Sequence, residues 1–118
     1  MSKRPILLYV DDEPINLMLF EAQFDQTFNV ITAKSGNDGL VKLRSNPAIR
    51  FVISDMKMPG MNGVEFISIA KKDFPDIIYT VLTAFDVNSE IAEALSNGLI
   101  FKYFRKPYCV NEIEQALR

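Results

Sequence analysis

Five polar residues of this sequence could together bind a metal ion and a phosphate group, and each of them lies at or near the end of an apolar run. They are Asp11, Asp12, Asp55, Thr83 and Lys106. Carboxylates crowded into one place repel one another unless a cation is present. A small all-oxygen cluster suits a hard cation, and Mg²⁺ better than Ca²⁺ or Zn²⁺. A hydroxyl and an ammonium group beside that cation would leave room for one tetrahedral anion.

Phosphoryl transfer is the chemistry that such a group of residues fits. Its transition state spreads negative charge over three equatorial oxygens, so catalysis is mainly positioning and charge neutralisation. The metal, Lys106 and Thr83 could each bind one of these oxygens while a carboxylate attacks in line, which forms an acyl phosphate. Asp55 is the natural nucleophile because it follows the strand that we expect at the centre of a sheet.

The absence of histidine from the chain excludes several other chemistries. Catalysis by Ser-His-Asp or Cys-His groups, zinc sites built on histidine and a role as phosphohistidine donor all require an imidazole. Whatever chemistry exists here must therefore use carboxylates, hydroxyls and lysines.

The composition indicates one globular domain in a reducing compartment. The chain has 118 residues, of which 48% are hydrophobic and 24% charged, with a net charge of -2. This charge does not favour direct nucleic-acid binding by the segment. A lone cysteine, Cys109, fits a cytoplasmic location, and no apolar run approaches the roughly 20 residues of a membrane span.

Short apolar runs alternate with helical patterns along the whole chain. Strands are predicted at 6–10, 29–33, 51–54, 77–82 and 99–104. Helices are predicted from Pro14, at 35–46, 62–74 and 88–97, and across Val110, Ile113 and Leu117. In the first helix, one apolar face is formed by residues spaced at i, i+3, i+4 and i+7, namely Ile15, Met18, Leu19 and Ala22.

Five strand–helix alternations predict an α/β fold with a parallel sheet covered by helices on both faces. Ligands of such sheets bind beyond the carboxyl ends of the strands, where the winding direction changes. If the strand order is 2-1-3-4-5, then strands one, three, four and five are neighbours. The five polar residues would then converge on one edge of the sheet.

Four segments of the chain closely resemble the motif blocks of the response-regulator receiver family, in the right order and at compatible spacing. They are Val10-Asp11-Asp12-Glu13-Pro14, Ser54-Asp55-Met56-Lys57-Met58-Pro59-Gly60-Met61-Asn62-Gly63, Leu82-Thr83-Ala84 and Tyr103-Phe104-Arg105-Lys106-Pro107. The resemblance covers essentially the whole chain and implies a flavodoxin-like, doubly wound (βα)5 domain with strand order 2-1-3-4-5.

The resemblance also implies a role for each matched position. Asp55 is the residue that is phosphorylated, and Thr83 and Lys106 contact the phosphoryl group. The metal ligands are Asp11, Asp12, Asp55 and the backbone carbonyl of Lys57, with Mg²⁺ as the expected ion and Mn²⁺ as an alternative.

The signalling role that the resemblance implies is a phospho-acceptor switch. A sensor histidine kinase or a histidine phosphotransfer protein would supply the phosphoryl group, and the domain would catalyse its own phosphorylation and dephosphorylation. Tyr103 matches the aromatic switch residue, Lys57 and Phe85 would modulate dephosphorylation, and Lys106–Pro107 matches a cis peptide. The face of helix four, strand five and helix five would control an output domain or protein, or a phosphorylation-dependent homodimer.

Three features of the sequence depart from the usual receiver pattern. The region from Gly98 to Tyr103 is one residue longer than in common receivers, and its apolar residues suit either core or partner surface. Cys109 stands at the usual cap of the last helix and is a poor capping residue. The last helix stops at Arg118, so we expect residues 1–118 to be a receiver domain excised from a longer protein.

Three other kinds of protein fit the sequence less well than the switch. A magnesium-dependent aspartyl-phosphate phosphatase needs an aspartate two residues after a nucleophile on strand one, where this chain has Glu13. A flavin carrier needs a Ser/Thr/Gly-rich loop after strand one, and acids stand there instead. An unphosphorylated docking pseudo-receiver would not need every pocket residue that this chain has.

Overall fold

The computed structural model describes residues 4–84 and 86–117, and in that part of the chain five strands alternate with five helices. They are β1 (Ile6–Val10), α1 (Pro14–Phe24), β2 (Asn29–Ala33), α2 (Gly36–Ser45), β3 (Ile49–Asp55), α3 (Gly63–Asp73), β4 (Ile78–Thr83), α4 (Ser89–Ser96), β5 (Lys102–Arg105) and α5 (Val110–Leu117). None of the helices in these described ranges is long and apolar enough to cross a membrane.

The strands form one parallel sheet in the order β2-β1-β3-β4-β5, which confirms the predicted flavodoxin-like topology. β1 and β3 are therefore central, and the chain winds to opposite sides from β1. The register places Asp55, the last residue of β3, opposite Leu82 near the end of β4. Strand ends that carry the polar residues thus lie side by side.

Apolar side chains fill both faces of the sheet, because successive residues of a strand point in opposite directions. Leu7 and Tyr9 of β1 point toward α1 and α5, where they join a buried cluster with Phe20 and Phe24. Leu8 and Val10 point toward α2, α3 and α4. This two-sided burial explains why the strands read as continuous apolar runs rather than alternating ones.

Polar caps fix the start of the helices that follow β2, β3 and β4. The hydroxyl of Ser35 accepts a hydrogen bond from the amide of Asp38 at 3.0 Å, and Asn88 Oδ1 accepts one from the Ile91 amide at 2.8 Å. Asn62 and Glu65 form a reciprocal capping box at the start of α3. Each cap contributes about 1 kcal/mol and holds the loop before its helix in place.

Helix α1 forms where the sequence predicts it, but its regular apolar stripe faces outward. Ile15, Met18 and Leu19 are 68%, 67% and 52% exposed, whereas Phe20 and Phe24 are fully buried. The ring of Phe20 stacks on Tyr9 with centroids 4.0 Å apart. Two large rings bury more apolar area than the smaller stripe, so they set the rotation of the helix.

Strand β5 begins at Lys102, three residues later than predicted from the apolar run. The amides of Leu99 and Ile100 both donate to the carbonyl of Ala94, so these residues wrap around the end of α4. Gly98, with φ +77, allows that reversal. Ile100 is buried and Phe101 is 59% exposed, so the apolar residues serve both the core and the surface.

Candidate functional site

Backbone hydrogen bonds beyond the strand ends hold the acidic residues in place. The amide of Asp11 donates to Ala33 O at 3.1 Å, which extends the pairing of β1 with β2 by one residue. Asp11 is fully buried as a result, and Asp12, the next residue, is half-buried. The two neighbouring carboxylates therefore sit at the topological switch point of the sheet.

Asp55 closes β3 and is followed by a loop that folds back tightly. Met56 N donates to Leu82 O at 2.8 Å, and Gly63 N donates to Met56 O at 2.9 Å. A Cβ atom at Gly63 would lie 2.6 Å from the carbonyl oxygen of Asp55. Glycine is therefore required at this position, since any side chain would push the loop away from Asp55.

Thr83 and Lys106 are brought to the same edge by the pairing of the last two strands. Thr83 ends β4 and is 3% exposed. The amide of Lys106 donates to Thr83 O at 2.8 Å, which carries the chain after β5 toward the acidic residues. The next peptide bond, Lys106–Pro107, is cis.

The carboxylates of Asp11, Asp12 and Asp55 form a compact cluster. One oxygen of each lies within 4.8 Å of the others, so a single cation could bind all three. All three potential ligand atoms are carboxylate oxygens, the kind of ligand that a hard divalent cation prefers. Two of the three residues are buried. The residues present thus fit a cation at this site.

Lys106 bridges two of these carboxylates. Its ammonium nitrogen lies 3.1 Å from Asp55 Oδ1 and 3.6 Å from Asp11 Oδ2. Its side chain is 25% exposed, so part of it remains open to a ligand entering the cleft. One lysine opposes three acids, and the cluster keeps a net negative charge that favours binding of a cation.

The electrostatic surroundings of Asp55 favour its protonated form. Burial raises the pKa of its carboxyl group above the ordinary value, and the charges of Asp11 and Asp12 raise it further. Lys106 lowers the pKa by charge and hydrogen bonding without reversing that direction. A cation beside the three acids would relieve the repulsion and favour the charged form of the Asp55 carboxylate.

A further set of hydrogen-bond donors, not predicted from the sequence, surrounds Asp11. The hydroxyl of Tyr9 donates to Asp11 Oδ2 at 2.6 Å, and Asn16 Nδ2 donates to the same oxygen at 3.2 Å. The amide of Glu13 donates to Oδ1 at 3.0 Å. Tyr9 lies two residues before Asp11 and so shares its side of the strand, but this spacing alone does not distinguish a donor from a tyrosine that packs in the core.

A cleft of about 500 Å³ opens above the cluster and is lined by Asp12, Asp55, Thr83 and Lys106 among others. Lys57 and Ala84 also line it. At its rim, Asn62 Nδ2 donates to Glu90 Oε1 at 3.1 Å and so joins the start of α3 to the first turn of α4. The cleft has room for a phosphoryl group beside a hydrated cation.

Tyr103, which has a predicted switch role, is not among the residues that line the cleft. Tyr103 is half-buried on β5, opposite Val81, and borders a groove on the surface of β5 and α5. Phe85 lies outside the described residues. The role of Tyr103 as a switch and that of the Lys57 carbonyl as a metal ligand stay predictions.

Comparison with known proteins identifies the family. The family model described as response regulator receiver domain matches residues 7–118, so the chain belongs to the family of receiver domains that act in two-component signalling. The chain is 31% identical over 119 residues to the transcriptional regulatory protein GlrR of Escherichia coli, covering 99% of this chain and 26% of that protein. It is 28% identical to sporulation initiation phosphotransferase F of Bacillus subtilis, covering 100% of this chain and 94% of that protein.

Solved structures give the same result for the fold. A structure described as adenylate cyclase from Rhodopirellula baltica superposes with a TM-score of 0.91 at 29% identity, over 98% of this chain and 85% of that one. The signal receiver domain of an HD domain-containing protein from Pseudomonas fluorescens superposes with a TM-score of 0.87 at 25% identity. The match covers 98% of this chain and 93% of that one. The chain spans about a quarter of the length of the first curated relatives that it matches.

Proposed function

We propose that this receiver domain is a phospho-acceptor switch in which Asp55 takes a phosphoryl group from a phosphohistidine of a partner protein. The observation that carries this proposal is the placement of Asp55. Its side chain is 11% exposed and lines the cleft, and its carboxylate lies 3.1 Å from the Lys106 ammonium group and within 4.8 Å of two further acids.

The transfer requires one bond to form and one to break. A carboxylate oxygen of Asp55 attacks phosphorus, the phosphorus–nitrogen bond of phosphohistidine breaks, and the imidazole leaves with its electron pair and takes up a proton. The Lys106 ammonium group binds one phosphoryl oxygen and neutralises its charge, and the hydroxyl of Thr83 donates a hydrogen bond to another. The partner is a sensor histidine kinase or a histidine phosphotransfer protein, since this chain has no histidine of its own.

The cation proposed here is Mg²⁺, with Mn²⁺ as an alternative. Asp11, Asp12 and Asp55, together with the backbone carbonyl of Lys57, would hold it. When bound, the cation neutralises charge on the phosphoryl oxygens and on the crowded carboxylates. A cluster of few carboxylates open to a cleft leaves sites for water, which Mg²⁺ usually keeps.

The consequence of phosphorylation is proposed to be a change in the α4–β5–α5 face. The new charge of about -1.5 to -2 would draw Thr83 inward, and Tyr103 on the neighbouring strand would follow. Lys57 and Phe85 would set the rate at which the domain dephosphorylates itself. The readout is an output domain or protein, or a homodimer through the β5 face, where Phe101 is exposed.

The lengths of related proteins indicate the kind of protein to which this domain belongs. We propose that residues 1–118 are the receiver part of a longer cytoplasmic protein, because relatives such as GlrR extend well beyond the matched region. Neither the phosphatase nor the pseudo-receiver alternative has a specific observation in its favour.

Mass spectrometry after incubation with acetyl phosphate and Mg²⁺ tests the proposal. We expect one phosphoryl adduct on Asp55 that needs Mg²⁺ and is labile in acid and base. Asp55→Asn should carry no adduct, and Asp76→Asn, which changes an exposed aspartate in the turn before β4, should match the wild type. If no adduct forms and beryllofluoride also fails to bind as a phosphate mimic, the domain is a docking module.

A further inference from the structure

Tyr9 is a buried tyrosine whose hydroxyl group points at the acidic cluster. It is 1% exposed, and its hydroxyl donates to Asp11 Oδ2 at 2.6 Å. An ordinary phenol keeps its proton at neutral pH, so Tyr9 acts toward the carboxylate as a hydrogen-bond donor. The contact is therefore charge-assisted and among the stronger kinds of hydrogen bond in proteins.

Packing leaves the Tyr9 ring little freedom to move away from Asp11. The ring stacks on Phe20 with centroids 4.0 Å apart and an interplanar angle of 7°. Phe20 stacks in turn on Phe24 at 4.3 Å. Because the two aromatic residues of α1 are fully buried, the hydroxyl of Tyr9 is held in place by the core itself.

Asn16, on the first turn of α1, completes the set. Its side-chain amide donates to the same oxygen of Asp11 at 3.2 Å, and Asn16 also lines the cleft. Oδ1 of Asp11 accepts a hydrogen bond from the backbone amide of Glu13 at 3.0 Å. Donors from the strand, from the helix and from the turn between them thus fix both oxygens of one carboxylate.

We propose that Tyr9 and Asn16 are positioning residues that orient the Asp11 carboxylate for the cation. The inference rests on the proposed function, since it assumes that Asp11 is a cation ligand. Carboxylates that bind metal are themselves held by hydrogen bonds, and loss of such a partner typically lowers metal affinity 10–100-fold. The two donors would order the Asp11 carboxylate before the cation binds, so binding would cost less conformational entropy.

Mg²⁺ titration by isothermal calorimetry, on protein freed of divalent cations, tests the proposal. We expect Tyr9→Phe to weaken Mg²⁺ affinity about tenfold, because it removes one donor and keeps the ring. The matched control is Tyr79→Phe. Tyr79 is also 1% exposed, and its hydroxyl donates to Phe74 O at 2.7 Å, remote from the acidic cluster.

The control separates positioning from a purely structural role. Both tyrosine variants should lose some thermal stability, but only Tyr9→Phe should change Mg²⁺ affinity. Asn16→Leu, which removes the second donor from a half-buried helix position, should weaken Mg²⁺ binding by a similar factor and covers the case in which Tyr9→Phe does not fold.

Two results overturn the proposal, and they can be told apart. If wild type binds Mg²⁺ and the Tyr9 and Asn16 variants bind it equally well or more tightly, the positioning role is wrong and the cation site stands. If wild-type protein binds no Mg²⁺ at all, the proposed cation site fails and this inference fails with it.

Discussion

Asp55 is placed where a charged carboxylate destabilises the folded domain. Burial, with the charges of Asp11 and Asp12, raises its pKa in the folded state above the ordinary value of 3.8 that applies when unfolded. The folded protein therefore binds the proton more tightly than the unfolded chain does. Stability from this residue is present below pH 3.8 and is lost as the pH rises through the folded-state pKa.

Replacing Asp55 by asparagine should therefore stabilise the cation-free domain at neutral pH. The amide carries no charge, so the repulsion from Asp11 and Asp12 disappears while the shape of the side chain is kept. Urea unfolding of both proteins in EDTA, from pH 7 down toward pH 4, would show a gain at pH 7 that shrinks as the pH falls.

The matched control for that experiment is Asp76→Asn, which changes an exposed aspartate and should leave stability at any pH within about 0.5 kcal/mol. A variant at Asp55 that is less stable than wild type at pH 7 would contradict the electrostatic account. It would mean that the contact with Lys106 outweighs burial and repulsion.

At the residue scale, the sequence predicted the acidic residues of the site but not the side chains that donate hydrogen bonds to them. Asp11, Asp55 and Thr83 could be placed because each ends an apolar run in a parallel α/β pattern. Tyr9 and Asn16 could not, since a tyrosine inside an apolar strand usually packs in the core. Only the distance from its hydroxyl to Asp11 distinguishes the two roles.

At the scale of elements, α1 shows where periodicity is a poor guide. Its spacing of Ile15, Met18, Leu19 and Ala22 is regular, yet these residues are exposed. The face that packs on the sheet is set by ring size and by the partner ring of Tyr9, which no pattern within the helix contains. The start of β5 also depends on contacts outside the strand. The amides of Leu99 and Ile100 donate to the carbonyl of Ala94, so the strand begins only at Lys102.

Alanine substitutions on the two faces of α1 measure this difference. Phe24→Ala should destabilise the domain by about 3–5 kcal/mol, since it empties a fully buried site. Met18→Ala should change stability by no more than about 0.5 kcal/mol, since Met18 is 67% exposed and alanine favours helix. Equilibrium urea unfolding at one pH compares them, and equal losses would show that the exposed stripe is buried in solution.

At the scale of the whole molecule, binding of the proposed cation would be linked to folding. Asp11 and Asp12 follow β1 and Asp55 ends β3, so the cluster exists only when the two central strands are paired. The alternation of elements and the convergence rule for parallel sheets were enough to predict this arrangement. Neither rule could predict the side-chain distances within the cluster, because those distances depend on strand register and loop geometry.

Mg²⁺ should therefore raise the melting temperature of the domain in proportion to the logarithm of its concentration. At one hundred times the dissociation constant the gain is about 2.7 kcal/mol, or roughly 10 °C for a domain of this size. Differential scanning calorimetry with and without Mg²⁺ measures it. Asp12→Asn should reduce the shift strongly, and an unchanged shift in that variant would place the cation elsewhere.

The residues of the site are divided along the chain in a way that has a practical consequence. Asp11 and Asp12 precede the exposed loop at residues 47–48, whereas Asp55, Thr83 and Lys106 follow it. A chain cut in this loop would yield one fragment with β1 and β2 and another with β3, β4 and β5. Neither fragment would hold all three carboxylates, so Mg²⁺ binding would return only when the halves reassociate along β1 and β3. The domain thus has the layout of a split reporter, in which a metal ion signals that two separate polypeptides have met.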